Sequence, residues 1–474
     1  MTTLPLATVS AKGIRMHLGR FLTAIAAVAS STGLLATILA VRSKGRAAGG
    51  RPVESDSLDI TGYEQLAERL PDIALGMALF MSILVILMTL RLISITTDKS
   101  LALLRAVGAT PMQGLLQVVW QALVIGIVGC ILGLGVGSAL MALLPKIAGN
   151  VDSALPGVSA LLLPEVLIWT FAAGILTTLI AAILPACKIA WTAPAAALRR
   201  SEGANRSSPR RQIVVGTVMF VGSLGLISLG APHLAKSSGL LVTVGTVTLL
   251  VSLVTLSSAL SILAAALFVM PLRWLSRTPA RLAVKNTLRS TRRTTAVSSV
   301  FLIGLTFVNA ILVLSASIND PIDSEGKGIP EELRHQMLNV ASEMQPLLRI
   351  LLGLFVFIAA TSIFTIYFLS SLERTYEIGL LRGAGMGRFG ETLMVVFEVF
   401  ITSILSGLIG VISGSGLAAT LQTFYAKTDY PEVIAPWSVL IWTFLGALCL
   451  AAVAATIPIV HSSRMKVLKA IDTA

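Results

Sequence analysis

The sequence predicts an all-α integral membrane protein, and its composition, apolar runs and internal repeat lead to that class. Hydrophobic residues make up 55% of the 474 residues, charged residues only 12%, and the mean hydropathy is +0.88. Because soluble chains carry roughly 25% charged residues, this composition indicates lipid as the solvent. The formal charge of +13 does not indicate nucleic acid, since the basic residues form short clusters between apolar runs.

Ten apolar runs are long enough to cross a bilayer, which requires roughly 20 mostly apolar residues for each span. The run at 239–271 is too long for one upright helix and too short for two, so we expect one tilted or projecting helix. The predicted spans lie near residues 21–41, 73–95, 115–143, 165–187, 213–230, 239–271, 296–316, 347–371, 392–420 and 435–460.

Basic residues concentrate in alternate connections between these spans, and such connections face the cytoplasm. The cytoplasmic set includes Lys99, Arg105, the stretch from Arg273 to Arg293, and Arg382. With an even number of spans, both termini are predicted to be cytoplasmic.

The outer connections at 42–72 and 317–346 are too short to build an independent core, so we expect no large extracytoplasmic domain. Leu333 and Met337 begin an apolar series at helical spacing that leads into the following span. It predicts a helix that projects outside the membrane, and residues 60–72 are expected to do likewise. The alternative is a helix that lies on the lipid surface.

The chain also repeats itself. The run Leu103–Ala109 recurs as Leu380–Met386, an offset of 277 positions, and the same register pairs Gln121 with Glu398. The flanking segments repeat at an offset of 273 positions. We therefore predict two parallel four-helix units on either side of a two-helix insert, with boundaries at 1–200, 201–272 and 273–474.

The third span of each unit carries small residues at four-residue spacing, which lets a neighbouring helix approach closely. We expect these residues to pack helices rather than bind substrate. They are Gly129, Gly133, Gly137, Ser406, Gly410 and Gly414.

These motifs resemble the FtsX-like permease family, the membrane subunits of mechanotransmission-type ABC transporters. The resemblance rests on Leu103–Ala109, on Glu377–Gly385, and on the Leu184-Pro185-Ala186 ending of the first unit, and it covers both units. The insert is similar to that of ten-span members in which two units are fused. The resemblance implies a permease of the bacterial plasma membrane that binds a cytoplasmic ATPase, and ATP and magnesium would be bound by that partner.

Residues 99–114 and 376–391 lie on the predicted cytoplasmic side, between the second and third spans of each unit, where a short helix can dock on the ATPase. Two such segments suggest two ATPase copies for each permease. In the alternative interpretation, Arg105 and Arg382 merely follow the positive-inside rule. The residues expected to couple to the ATPase are Leu101, Leu104, Arg105, Val107, Glu377, Ile378, Leu381 and Arg382.

The sequence contains no phosphate-binding loop of the G-x-x-x-x-G-K-[ST] type, no metal-ligand motif and no catalytic triad, so we do not expect an enzyme. Glu398 is an acid among apolar residues, and it pairs with Gln121 in the repeat. Such a residue is a candidate for an intramembrane polar site. The neutral Gln121 at the equivalent position instead favours a structural packing contact over proton transfer.

Three functions remain open at this point. The first is export or extraction of a hydrophobic or amphiphilic compound such as an antimicrobial peptide, a lipid or a drug. The second is mechanical signalling to an extracytoplasmic protein partner such as a cell-wall hydrolase. The third, an ion-driven carrier, requires several acids deep in the spans, and only Glu398 comes close. Basic clusters also suit binding to anionic lipid headgroups. Export or extraction is the preferred interpretation.

Overall fold

The computed structural model describes residues 18–48, 61–106, 110–148, 161, 163–191, 209–230, 238–275, 277–289, 291–324, 331–373, 375–425 and 436–463. Within these ranges the chain is helical apart from short turns, and they contain no strand. The helices are α1 Leu18–Ala48, α2 Thr61–Ala106, α3 Pro111–Ala148, α4 Pro164–Trp191, α5 Pro209–Leu229, α6 Ser238–Leu275, α7 Arg277–Arg289, α8 Thr291–Ser324, α9 Glu331–Glu373, α10 Thr375–Gly383, α11 Arg388–Tyr425 and α12 Trp437–Ser463.

Ten of the described helices, all except α7 and α10, contain an apolar segment long enough to cross a membrane, which confirms the predicted all-α membrane fold. The run at 239–271 lies in the single helix α6, as expected. In the predicted division of the chain, α1 to α4 belong to the first unit, α5 and α6 to the insert, and α7 to α12 to the second unit. The helix α8 lies at the centre, with 94% of its most apolar stretch buried. The helix α5 lies at the edge, with 11% of its most apolar stretch buried.

The insert packs on the second unit through α6. The hydroxyl oxygens of Ser257 in α6 and Ser299 in α8 lie 2.7 Å apart, and the hydroxyl of Ser258 donates to Gln212 Oε1 in α5 at 2.9 Å. The first of these contacts attaches the insert to the central helix, and the second joins the two helices of the insert.

Both outer helices run directly into spans. The helix α2 begins at Thr61, eight residues before its apolar segment, and continues through Pro71 without a break. The helix α9 begins at Glu331, thirteen residues before its apolar segment, and likewise continues through Pro346. The structure thus confirms that the helix before the second span of each unit runs directly into that span, and its projection outside the membrane stays a prediction.

The first and third spans of each unit cross in the same register. A Cβ atom built on Gly133 in α3 would lie 2.9 Å from the carbonyl oxygen of Ala29 in α1. A Cβ atom built on Gly410 in α11 would likewise lie 2.9 Å from the carbonyl oxygen of Leu302 in α8. Gly410 follows Gly133 by 277 positions, and Leu302 follows Ala29 by 273, which are the offsets of the sequence repeat.

One turn further along, the same correspondence holds. A Cβ on Gly137 would meet the carbonyl oxygen of Gly33 at 3.2 Å, and one on Gly414 would meet that of Thr306 at 2.6 Å. Gly129 faces Val28, and its counterpart Ser406 is buried. Only residues without a bulky side chain permit helix axes to approach so closely.

Candidate functional site

The two predicted docking segments lie beside the third span of each unit. In the first unit no separate short helix is formed before Ala106, because α2 continues from the second span through that residue. Val107 lies outside the described residues. The side chains of a further five predicted docking residues also lie outside the described part of the chain. They are Leu101, Leu104, Arg105, Glu377 and Ile378.

The second docking segment comprises α10 and the turn that follows it. The amide of Gly385 donates to the carbonyl of Arg382 at 3.0 Å, and the amide of Met386 donates to that of Leu381 at 3.0 Å. Gly385 has a φ of 93°, a left-handed conformation that glycine adopts without strain. This pair of bonds is a Schellman motif, which ends α10 and turns the chain into α11.

Arg382 is held inside the protein rather than extended into solvent. Its Nε donates to Glu391 Oε2 in the first turn of α11 at 2.6 Å, and the two side chains are 9% and 2% exposed. The sequence-based expectation that Arg382 forms an ion pair across an interface with the ATPase stays untested, but this arginine already has an intramolecular partner.

A second buried ion pair lies seven residues further along α11. Arg293, near the start of α8, donates from a terminal guanidinium nitrogen to Glu398 Oε1 at 3.1 Å, and both side chains are less than 10% exposed. The side-chain amide of Asn286 in α7 reaches the other carboxylate oxygen at 3.4 Å. A small polar cavity beside the pair is lined by Tyr367 and Thr402, among others. Glu398 thus makes a structural polar contact, whereas its repeat counterpart Gln121 is partly buried on α3.

An apolar cavity lies where the two units meet, towards the other end of the bundle. Its lining is almost free of polar atoms and comes from α2, α8, α9 and α11. The lining residues are Leu70, Ile73, Ala74, Met77, Ala310, Ile311, Leu314, Leu348, Leu351, Phe355 and Leu421. Most of these side chains are buried within the protein, so lipid on the outer surface does not reach them.

An aromatic cluster adjoins this cavity and joins the units. The ring of Phe307 in α8 lies 6.3 Å from that of Phe80 in α2 and 5.6 Å from that of Phe355 in α9, both in edge-to-face geometry. Such pairs stabilise a packed interface beyond their buried area. The second span of the first unit is thereby fixed to the first and second spans of the second unit.

Sequence reasoning missed three participants in these sites, namely Arg293, Asn286 and Glu391. The sequence did single out Arg293 in one way, because the internal repeat aligns it with Arg20. Glu391 had a signal too, as an acid immediately before the span predicted at 392–420. Phe389, 80% exposed beside the turn after α10, and its counterpart Met112, 68% exposed, were not singled out either. Within the described residues no group of three or more His, Cys, Asp or Glu side chains could hold a metal ion.

Comparison with known families decides which kind of membrane protein carries this geometry. The chain matches the family described as FtsX-like permease C-terminal over residues 73–194 and 349–467, which together make up just over half of its length. The chain belongs to the FtsX-like permease family. Each matched region runs from a second span through the docking segment and the third and fourth spans of one unit. No curated protein sequence matches the chain.

FtsX-like permeases are membrane subunits of ABC systems and are generally not catalytic themselves. This FtsX-like permease is therefore a multi-pass membrane subunit of an ABC transporter. The two matched regions also contain most of the residues described above. They include Glu391, Glu398 and both docking segments.

Proposed function

We propose that this FtsX-like permease uses ATP hydrolysis by a separate cytoplasmic ATPase to export or extract a hydrophobic or amphiphilic substrate. The ATPase, in two copies, docks on the residues at 99–114 and 376–391. The end of the bundle that carries these segments faces the cytoplasm, with both termini, and the membrane is the bacterial plasma membrane. The apolar cavity between the units carries the proposal, because its lining is almost entirely apolar, as contact with a hydrocarbon chain requires.

The position of the cavity supports this function. Its lining comes from spans of both units, so a movement of one unit against the other changes its size. The docking segments attach to the same helices at the opposite end, since α2 carries both Met77 and the first docking segment. ATPase closure at the docking segments can therefore open or close the cavity.

A mechanical signalling function is the second candidate, and the length of the outer helices favours it. The helices α2 and α9 both extend beyond their apolar segments and run directly into spans. A rigid helix transmits a displacement along its axis, so an extracytoplasmic protein bound to these ends would be moved by the same ATPase cycle.

Photolabelling distinguishes the two functions. Cells that produce the permease are fed a fatty acid with a diazirine group, irradiated, and the labelled peptides of the permease are identified by mass spectrometry. Export or extraction predicts labelling at Leu314 and Leu351, whose side chains line the cavity and are buried within the protein. Ala74→Phe, which fills the cavity, should abolish that labelling, whereas Ala452→Phe on an exposed face of α12 should not. Wild-type permease without label at the cavity would contradict this function.

The docking proposal has its own test. Arg105→Glu should abolish stimulation of the partner's ATPase activity in the reconstituted complex, while the permease stays folded in detergent. Arg382→Glu should abolish it as well, because it also breaks the buried ion pair with Glu391. Unchanged stimulation in both variants would contradict docking at these segments.

A further inference from the structure

Glu391 and Glu398 are the two acidic residues of α11, and they lie on one face of it. Their separation of seven residues corresponds to two helical turns. Each is buried, and each accepts a hydrogen bond from an arginine of a different element. The docking helix α10 is thus joined to α11 through Arg382, and α11 is joined to the central helix α8 through Arg293.

These two pairs form a continuous link from the docking segment to the centre of the bundle. A buried ion pair resists separation, because removal of one partner leaves an uncompensated charge in a medium of low dielectric. The link also reaches α7, since Asn286 binds the second oxygen of Glu398. A displacement of α10 must therefore move α11 and α8 with it.

The first unit has no counterpart of this link. The positions equivalent to Glu391 and Glu398, 277 residues earlier, hold Gly114 and Gln121. The whole of α3, Pro111–Ala148, contains neither aspartate nor glutamate. Arg105 and Arg20 stand where the second unit has Arg382 and Arg293, but α3 offers them no carboxylate.

At the opposite end of the bundle, the first unit has an ion pair where the second unit has a neutral contact. In the first unit Arg42, near the end of α1, forms an ion pair with Asp72 in α2. At the equivalent positions, 273 residues later, the neutral Ser315 and Gln345 form hydrogen bonds of 3.0 and 3.2 Å. The repeats thus place their ionic links at different ends.

We propose that Glu391 and Glu398 are positioning residues that couple α10 rigidly to the bundle. The first unit attaches its docking segment by another route, because α2 continues as one helix from the second span through Ala106. The inference rests on the proposed docking function only for its effect on the ATPase. The rigid attachment of α10 to the bundle is a property of the permease alone.

The rigidity is measured on the full-length permease in lipid nanodiscs, without ATPase. Cys130, Cys187 and Cys449 are replaced by serine or alanine, and spin labels are attached at Leu380→Cys and Ile412→Cys, both exposed. The wild type should give a narrow distance distribution between the labels. Glu391→Gln should widen it at least about twofold, because Arg382 then loses its buried charge partner.

The exchange of the two charges decides between an ionic link and a merely well-packed glutamate. Arg382→Glu combined with Glu391→Arg keeps the pair with reversed order and should restore the narrow distribution. If the exchanged variant stays as broad as Glu391→Gln, or if Glu391→Gln is as narrow as the wild type, the proposal is wrong. Where Glu391→Gln does not reach the membrane, the exchanged variant is compared directly with the wild type.

The consequence for coupling is measured in the complex with the ATPase. Glu391→Gln should lower ATPase stimulation about tenfold, because α10 is then no longer held to α11 by a buried ion pair, and the exchange of the two charges should restore stimulation. Unchanged stimulation in Glu391→Gln would contradict a role of this link in coupling. If no ATPase associates with the permease, the docking proposal fails, and the spin-label result still tests the link.

Discussion

Asn309 donates a hydrogen bond from its side-chain amide to the main-chain carbonyl of Val411 at 2.8 Å, in the middle of the membrane-spanning part of the bundle. The same amide reaches Ser415 Oγ at 3.1 Å. Its repeat counterpart in the first unit is Ala36, which meets Gly137 with a methyl group only. The central helix α8 is therefore joined to the third span by an amide side chain, whereas the first unit joins the equivalent helices through Thr32, whose hydroxyl donates to the carbonyl of Gly129 at 3.3 Å.

Asn309→Ala should lower the stability of the permease, because α8 and α11 lose their shared polar contact. Hydrogen bonds between membrane helices contribute about 0.5–2 kcal/mol. The measurement is the thermal unfolding temperature in detergent. Ser228→Ala is a suitable control, because that exposed hydroxyl binds only the carbonyl of Gly225 in its own helix. An Asn309→Ala variant that unfolds at the same temperature as the wild type would show that this contact does not contribute to stability.

Alanine substitutions in the third spans should distinguish glycines at helix contacts from glycines that face open space. Gly133→Ala places a methyl group against Thr32 and the backbone of α1, and Gly414→Ala does the same against α8. Both should lower the unfolding temperature, since overpacking costs about 1–3 kcal/mol. Gly135→Ala and Gly416→Ala have no heavy atom within 4 Å of the new methyl group and should be neutral or slightly stabilising. Similar melting of all four variants would contradict this packing.

Much of this fold could be predicted from local patterns. Each span is a long apolar run, and the spacing of Gly133 and Gly137 indicates a close helix crossing whichever helix provides the other side. The repeat indicated that the first and third spans cross at equivalent positions in both units, and the contacts of Gly133 and Gly410 agree with this.

The buried ion pairs could not be predicted in this way. Glu398 and Arg293 lie 105 positions apart, so only the tertiary fold brings them together. The repeat gave no hint of charge pairing, because Gln121 is neutral. The continuity of α2 through Ala106 was also unpredictable, because both copies of the Leu-Leu-Arg motif consist of good helix formers and local propensity does not fix a helix boundary.

The turn after α10 should depend on Gly385. Gly385→Ala forces a residue with a Cβ atom into a φ of 93°, which costs roughly 1–2 kcal/mol. The expected result is faster hydrogen exchange at the amides of residue 385 and Met386, which donate the two Schellman bonds. Gly387→Ala is the matched control, because its new methyl group meets nothing within 4 Å and its φ is not positive. Identical exchange in both variants would argue against a conformational role for Gly385.

The ion pair of Arg42 with Asp72 should be replaceable by the pair that the second unit uses. Its side chains are 26% and 41% exposed, so the pair contributes no more than about 1 kcal/mol. Arg42→Ser alone should lower the unfolding temperature slightly, and only at low salt. Combination with Asp72→Gln reproduces the neutral contact of Ser315 and Gln345 and should recover that loss. A double variant less stable than Arg42→Ser would contradict the equivalence of the two positions.

Phe307→Ala should weaken the junction between the two units more than any exposed aromatic substitution. The ring is fully buried and contacts Phe80 of the first unit and Phe355 of the second, so its removal leaves a cavity beside the apolar one. Loss of a buried phenylalanine costs about 3–5 kcal/mol. Phe364→Ala, on an exposed face of α9, removes the same atoms without a cavity and is the control. Since the junction holds the units together, Phe307→Ala should also increase cleavage by protease in detergent between α4 and α8, whereas a loss of stability without that cleavage would place the weakness within one unit.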